Sequence, residues 1–249
     1  MPGTLVLLRH GQSTWNRDNL FTGWHDVDLT EQGLGEAVSA GETMLAERLR
    51  FDVAHTSVLT RAVRTTHLAL DAMGLVWLPV QRHWRLNERH YGALQGLDKK
   101  ATTERHGAEQ TNLWRRSYDV PPPPVPTDSP EHPVNDPRYR LLPPDVLPAS
   151  ECLADVVLRV LPYWYDVVAP QLLAGLDVLV GAHGNSLRAL VMHLESISRD
   201  DIAELNIPTG VPRRYTFDDA LGVRTAEYLG DQEAIAAAAA AVAAQAGTH

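Results

Sequence analysis

Apolar and polar positions along the chain fall into an alternating strand and helix order. Leu5 to Leu8 form a continuous apolar run of strand length, as expected in a sheet covered on both faces. The run ends in Arg9-His10-Gly11, at the strand's carboxyl end, where open α/β sheets collect ligands. Helical spacing begins near Thr30, with Leu34, Val38, Leu45 and Leu49 marking an apolar face. Phe51 to His55 read as the next strand, and Thr56 and Ser57 as caps for a helix over Val58 to Met73. Trp77 to Val80 read as a further strand, and Asp98 to Tyr118 as a polar, helix-capable stretch.

Residues 121–148 hold 11 of the 17 prolines, a density that no ordinary helix or central strand survives. A long irregular excursion is expected there, serving as a lid or an interface arm. Helical spacing resumes over Leu153 to Leu173, where Pro162 and Pro170 should bend or break it. Asp177 to Ala182 are a buried strand candidate ending in His183-Gly184-Asn185-Ser186, and Leu187 to Leu194 supply the helix after it. Arg213 to Phe217 and Val223 to Leu229 close the sheet around the Asp218-Asp219 turn, one or both of them antiparallel. The alanines after Glu233 favour a helical start, but they offer little apolar volume for docking, so 233–249 is expected to be a mobile tail. The expectation is an α/β fold: three layers, a mostly parallel central sheet and helices on both faces.

Composition narrows the functional classes. With 249 residues and 44% hydrophobic content, the chain supports a large core within one domain, 1–249, carrying the proline-rich insertion at 119–149. A formal charge of −9 argues against a general nucleic-acid surface but leaves room for a local basic pocket. The single cysteine, Cys152, excludes an intrachain disulfide and points to a reducing, cytoplasmic compartment. Arg9 and His10 interrupt the apolar start, so no signal peptide is expected, and no apolar run is long enough for a membrane span.

The chemistry concentrates where strands end. Arg9 offers a planar, multi-donor cation for phosphate or carboxylate, and Gly11 lets backbone approach a ligand. A neutral nitrogen of His10 can attack phosphorus and form a covalent intermediate. Ser13 and Asn16 can donate to phosphoryl oxygens. His183-Gly184 repeats the placement after a second apolar strand, so parallel neighbours would bring both imidazoles to one pocket. Arg61 sits at a helix start, where a cation gains purpose from a bound anion; ordinary solvation or an ion pair is the other reading, as it is for Arg64. Glu88 is suited to exchanging a proton with a sugar-acid hydroxyl. Arg115 and Arg116 fit either a carboxylate or phosphate clamp or a solvated helix face, and Lys99 or Lys100 adds a mobile charge nearby. A zinc site built from His10, His183 and Glu88 is disfavoured by the surrounding cations, and no metal is expected.

The runs Arg-His-Gly-Gln-Ser-Thr-Trp-Asn (9–16), Phe-Thr-Gly-Trp (21–24), Thr-Ser-Val-Leu-Thr-Arg-Ala (56–62) and Leu-Asn-Glu-Arg-His-Tyr-Gly (86–92) share one resemblance. So do Trp-Arg-Arg (114–116), Ala-His-Gly-Asn-Ser-Leu-Arg (182–188) and Leu-Asn-Ile-Pro-Thr-Gly-Val-Pro (205–212). In order and spacing they closely resemble the cofactor-dependent phosphoglycerate mutases of the histidine phosphatase superfamily. The resemblance implies a histidine phosphatase-like fold and exchange between 3-phosphoglycerate and 2-phosphoglycerate, primed by 2,3-bisphosphoglycerate. It implies that His10 carries the phosphoryl group, Glu88 acts as general acid/base and His183 assists the transfer. Arg9, Asn16, Arg61 and Asn185 would surround the phosphoryl oxygens, and Gly184 would be a further substrate-binding residue. Thr22, Gly23, Arg89, Tyr91, Lys99, Arg115 and Arg116 would hold the rest of the substrate. A homo-dimer or homo-tetramer is implied as well.

Three departures from the family pattern are visible: Gln12 where glutamate is common, Cys152 where serine is frequent, and a tail without the usual lysines. The competing readings are a broad phosphatase that passes the phosphoryl group to water, and a noncatalytic phosphosugar-binding protein.

Overall fold

A computed structural model describes residues 1–244. The strands are β1 (Leu5–Arg9), β2 (Val53–Thr56), β3 (Val80–Arg82), β4 (Val178–Ala182), β5 (Pro212–Phe217) and β6 (Val223–Tyr228). The helices are α1 (Thr14–Arg17), α2 (Glu31–Ala46), α3 (Thr60–Ala72), α4 (Lys99–His106), α5 (Ala108–Arg116), α6 (Leu153–Tyr163), α7 (Ala169–Leu173), α8 (Gly184–Leu194) and α9 (Gln232–Ala244). The strands form one six-stranded sheet in the order β3-β2-β4-β1-β5-β6. β3, β2, β4 and β1 run parallel, while β5 pairs antiparallel with β1 and β6 pairs antiparallel with β5.

Continuous apolar strands follow from burial on both faces. Val6, Leu8, Ala54 and Leu179 pack with Ala40 and Met44 of α2 and Ala69 and Leu70 of α3. The alternate residues Leu5, Leu7, Val53, Val178 and Val180 pack with α6, α7 and α8 through Leu153, Val156, Leu172, Leu187 and Leu190. The result is a mixed sheet with helices on both sides. Among the described residues no helix is long and apolar enough to cross a membrane.

Several elements differ from the sequence expectation. The buried face of α2 is Gly33, Ala37, Ala40, Gly41 and Met44, whereas Val38 and Leu45 are exposed. Small residues win because α2 lies tight on α3: a Cβ on Gly41 would stand 2.3 Å from the Ala69 carbonyl oxygen. β3 starts at Val80, and Trp77 is exposed rather than part of a strand. Leu59, not Thr56 or Ser57, occupies the cap position of α3 and makes no side-chain cap. The 98–118 stretch is two helices, α4 and α5, parted at Gly107 with φ 84°.

Pro162 lies inside α6 without ending it, and the predicted break arrives as a π-helical stretch at Trp164–Val168. The proline-rich excursion forms only short 3₁₀ turns, yet it is anchored. Tyr139 is buried with Trp24 and Leu147, and Asn87 Nδ2 donates to its hydroxyl at 2.8 Å. The tail is helical over Gln232–Ala244, in line with the helical start expected from its alanines. The remainder of the expected mobile tail, 245–249, lies outside the described residues.

Candidate active site

β1, β4 and β2 end together at one edge of the sheet, and their C-terminal residues meet there. The parallel register of β1 with β4 brings His10 and His183 to 4.9 Å between ring centroids, with planes at 65°. Ser57, just after β2, places its hydroxyl 2.7 Å from His183 Nε2. The same hydroxyl oxygen accepts from the Leu59 amide, which explains why it does not cap α3.

His10 is buried, and its Nδ1 donates to the Gly11 carbonyl at 2.7 Å, which leaves the lone pair on Nε2. Burial, reinforced by the Arg61 and Arg9 guanidiniums, pushes the imidazole well below its ordinary value, so it stays neutral. His183 is neutral for the same reasons, with burial first and Arg61 next. An imidazole with one nitrogen tied to a carbonyl and the other bare beside cations is a competent nucleophile toward phosphorus. Gly11 serves a different purpose from the one expected: its absent Cβ would meet the Gly33 carbonyl at 2.2 Å, so helix α2 rather than a ligand approaches it.

A pocket with about 750 Å³ of open space lies in front of His10. Arg9, His10, Asn16, Thr22, Gly23, Arg61, Glu88, Tyr91, Lys99, Arg115, Arg116, Gly184 and Asn185 all line it. Arg61 is aimed by the carbonyls of Gly23 (2.7 Å) and His25 (3.0 Å), and burial lowers its pKa to about 10. Arg64 instead pairs with Asp28 at the surface. Asn16 Oδ1 accepts from the Ser13 amide and hydroxyl, turning its own amide nitrogen away from that contact. Lys100 is exposed, whereas burial and the adjacent Arg115 bring Lys99 down to about 8.

Glu88 reaches the pocket with its carboxylate already oriented. Oε1 accepts from the Arg89 amide (2.8 Å) and from the Asn185 amide in the first turn of α8 (3.0 Å). At Tyr91 burial opposes ionisation, but Arg89 overcomes it and brings the phenol down to about 8.

Two expected residues stand behind the wall rather than in it. His183 is fully buried beneath His10. Arg89 is fully buried, with its guanidinium 4.6 Å from the centre of the Tyr91 ring and Nη2 donating to the Arg115 carbonyl at 2.7 Å.

Residues missed in the sequence also line the pocket: Arg188, Asn206 and Ile207 among them. Arg188 lies one turn after Gly184 on α8, a spacing that shares a face with it and could have been read. Its Nη1 donates to Asn185 Oδ1 (3.1 Å) and its Nη2 to the Ile202 carbonyl (2.5 Å). Arg9 Nη1 donates to the Ile207 carbonyl (2.6 Å), and Arg116 Nη1 to Asn206 Oδ1 (2.9 Å). The 202–207 segment thus gathers three arginines with its oxygens; the runs 182–188 and 205–212 carried the family resemblance, but no role had been read for Arg188, Asn206 or Ile207.

Arg9 Nε, Arg89 Nε and Nη1, His183 Nδ1 and Arg188 Nε are buried without a protein partner. Buried donors of this kind call for an acceptor. Arg9 and Arg188 line the pocket, which has cations at both ends and suits a small ligand carrying two anionic groups.

The two departures inside the described chain are absorbed locally. Gln12 Oε1 accepts from the Thr30 hydroxyl at 2.9 Å. Cys152 stands before α6, with its sulfur 3.0 Å from Asp155 Oδ2.

The profile of the histidine phosphatase superfamily (branch 1) matches residues 5–223. A 2,3-bisphosphoglycerate-dependent phosphoglycerate mutase of Nitratidesulfovibrio vulgaris strain Hildenborough is 60% identical over 97% of this chain and 96% of its own. The protein of the same description from strain Miyazaki F is 61% identical over 97% of both chains. Among solved structures, a putative alpha-ribazole-5'-P phosphatase from Escherichia coli aligns with a TM-score of 0.70 at 20% identity, covering 93% of this chain and 98% of that one. A mycobacterial glucosyl-3-phosphoglycerate phosphatase aligns with a TM-score of 0.68 at 24% identity, covering 91% and 97%. At these identities the two structures speak for the fold alone.

Proposed function

The chain belongs to the histidine phosphatase superfamily, and we propose that within it the protein is a 2,3-bisphosphoglycerate-dependent phosphoglycerate mutase interconverting 3-phosphoglycerate and 2-phosphoglycerate. The observation that carries this reading over a broad phosphatase is the 60% identity, across nearly the whole chain, to a relative described as such a mutase. The noncatalytic reading is disfavoured by a neutral His10 with a bare Nε2 beside Arg9 and Arg61.

In this reading 2,3-bisphosphoglycerate supplies the phosphoryl group that charges His10. The chain's residues fit a doubly anionic primer: Arg9, Arg61, Asn16 and Gly184 at the His10 end, and Lys99, Arg115, Arg116 and Tyr91 at the other. His10 Nε2 attacks phosphorus, an N–P bond forms as the P–O bond breaks, and Glu88 gives its proton to the departing oxygen. In the forward transfer Glu88 takes the proton from the free hydroxyl of a bound monophosphoglycerate as that oxygen attacks phosphorus, and His10 Nε2 leaves. A return transfer at the other carbon regenerates the phosphohistidine. His183 sits against His10 and assists the transferring group, while the arginines hold the equatorial oxygens.

The proposal takes residues 1–249 as one catalytic domain of a cytoplasmic enzyme of glycolysis and gluconeogenesis. It also takes the protein to be a homo-oligomer: β3 is an edge strand, and Val76 and Trp77 beside it are 71% and 73% exposed. Incubating the protein with labelled 2,3-bisphosphoglycerate and 3-phosphoglycerate tests the function. Rapid 2-phosphoglycerate formation supports the mutase, whereas predominant inorganic phosphate supports the phosphatase.

A further inference from the structure

An enclosed ion pair outside the pocket is used by none of these roles. Arg159, on α6, and Glu151, just before it, have side chains only 6% and 3% exposed. Arg159 Nε and Nη2 engage both Glu151 oxygens, at 2.6 and 3.0 Å. The same guanidinium donates to the carbonyls of Arg85 (2.7 Å), Asn87 (3.2 Å) and Glu88 (3.1 Å). Glu151 Oε2 accepts from the His90 amide at 2.8 Å, and the Glu151 amide donates back to the His90 carbonyl at 2.8 Å.

Apart from a longer contact of Arg159 Nη1 with the Trp84 carbonyl (3.4 Å), these partners lie in the segment 85–90, which carries Glu88 near its centre. Apart from a single 3₁₀ turn at Trp84–Leu86, the segment has no regular structure to satisfy its own backbone. The Glu88 carbonyl also accepts from Trp24 Nε1 at 2.5 Å, while its carboxylate is held by the Asn185 amide of α8. The peptide of Glu88 is therefore gripped from α6 and its carboxylate from α8.

We propose that the Arg159–Glu151 pair is a positioning device for Glu88, fixing the 85–90 backbone so that the carboxylate meets the pocket in one orientation. This rests on the acid/base role given to Glu88 above. A buried ion pair is by itself a weak source of stability, because an apolar pair of similar volume often serves as well. An apolar pair could not satisfy the carbonyls of residues 85, 87 and 88 together with the amide of 90. Holding that backbone matters for chemistry, since a displacement of about 1 Å at a reacting group can slow a step by about a hundredfold.

The test is Arg159→Lys in the full-length protein, made with native Glu88 and with Glu88→Gln. Each is charged with 2,3-bisphosphoglycerate and mixed rapidly with 3-phosphoglycerate. With Glu88 present, single-turnover transfer should slow by roughly 10- to 100-fold, while 3-phosphoglycerate affinity changes by less than about threefold. With Glu88→Gln already in place, Arg159→Lys should add less than about twofold, because coupled residues are not additive. Glu151→Gln, which retains a carbonyl acceptor, should show a smaller slowing with the same dependence on Glu88, and it serves if Arg159→Lys does not fold. Equal slowing in both backgrounds, or native transfer in a folded Arg159→Lys protein, overturns the positioning role alone. Native transfer by Glu88→Gln itself overturns the acid/base role, and the positioning role with it.

Discussion

The His10 and His183 rings meet edge to face, 4.9 Å apart, because β1 and β4 are parallel neighbours in register. Two imidazoles this close cannot both be charged without strong repulsion, and burial, reinforced by the adjacent guanidiniums of Arg61 and Arg9, holds both neutral. The proposed phosphoryl chemistry begins from that neutrality.

His10→Ala should abolish both phosphoenzyme formation and turnover, with circular dichroism confirming that the variant is folded. Label appearing on another residue with retained turnover would reject His10 as the carrier.

Glu88→Gln keeps the acceptor for the Asn185 and Arg89 amides but cannot exchange a proton. Binding of 3-phosphoglycerate should be nearly unchanged, and the single-turnover rate should fall by roughly 10²- to 10⁴-fold. Rapid quench measures the rate, and calorimetry the affinity.

Arg116→Ala removes a cation from the end of the pocket remote from His10, where Asn206 and the Ala203 carbonyl orient it. Loss of a charge-assisted hydrogen bond costs about 1.5–3 kcal/mol, so KM should rise by roughly 10- to 100-fold with a smaller change in kcat. Equal affinity by calorimetry would count against this clamp.

Acid should destabilise the protein through its buried histidines. Burial lowers His90 to about 3 in the folded state, well below the unfolded value of about 6.5. Between those values the unfolded chain binds more protons, so stability rises with pH across the window and is lost as pH falls below 6.5. The limiting slope from His90 is about 1.4 kcal/mol per pH unit. His90→Asn, whose side-chain oxygen can still accept from the Gly92 amide as Nδ1 does, should flatten the acid limb of a denaturation series. An unchanged slope would show that His90 is not part of it.

Gly41→Ala should destabilise by about 1–3 kcal/mol, because the new methyl would stand 2.3 Å from the Ala69 carbonyl oxygen. A thermal or denaturant midpoint equal to that of the unchanged protein would mean that α2 and α3 can separate without cost.

Much of this site was legible because its residues sit at strand ends, where an apolar run followed by His-Gly reports position directly. The pairing of β1 with β4 was a consequence of those runs. The α2 face was misread because the helix buries glycine and alanine, so close approach outweighed hydrophobicity and left Val38 and Leu45 outside. Ser57 read as a cap because hydroxyls favour helix starts, but its hydroxyl is engaged by the Leu59 amide and by His183 at the end of the neighbouring strand β4. Arg188 and the 202–207 segment depend on contacts between distant stretches, as does the Arg159–Glu151 pair. A lone arginine in a helix carries no local mark of which carbonyls it will gather.

The central claim is tested most directly by mapping the phosphoryl group during turnover. Protein charged with ³²P-labelled 2,3-bisphosphoglycerate is quenched, digested under alkaline conditions that preserve phosphohistidine, and sequenced. In parallel the charged protein is chased with 3-phosphoglycerate. The label should be acid-labile, reside on His10 and pass into phosphoglycerates within a single turnover. Label on a different residue, or its release to water as inorganic phosphate faster than to 3-phosphoglycerate, would contradict the account.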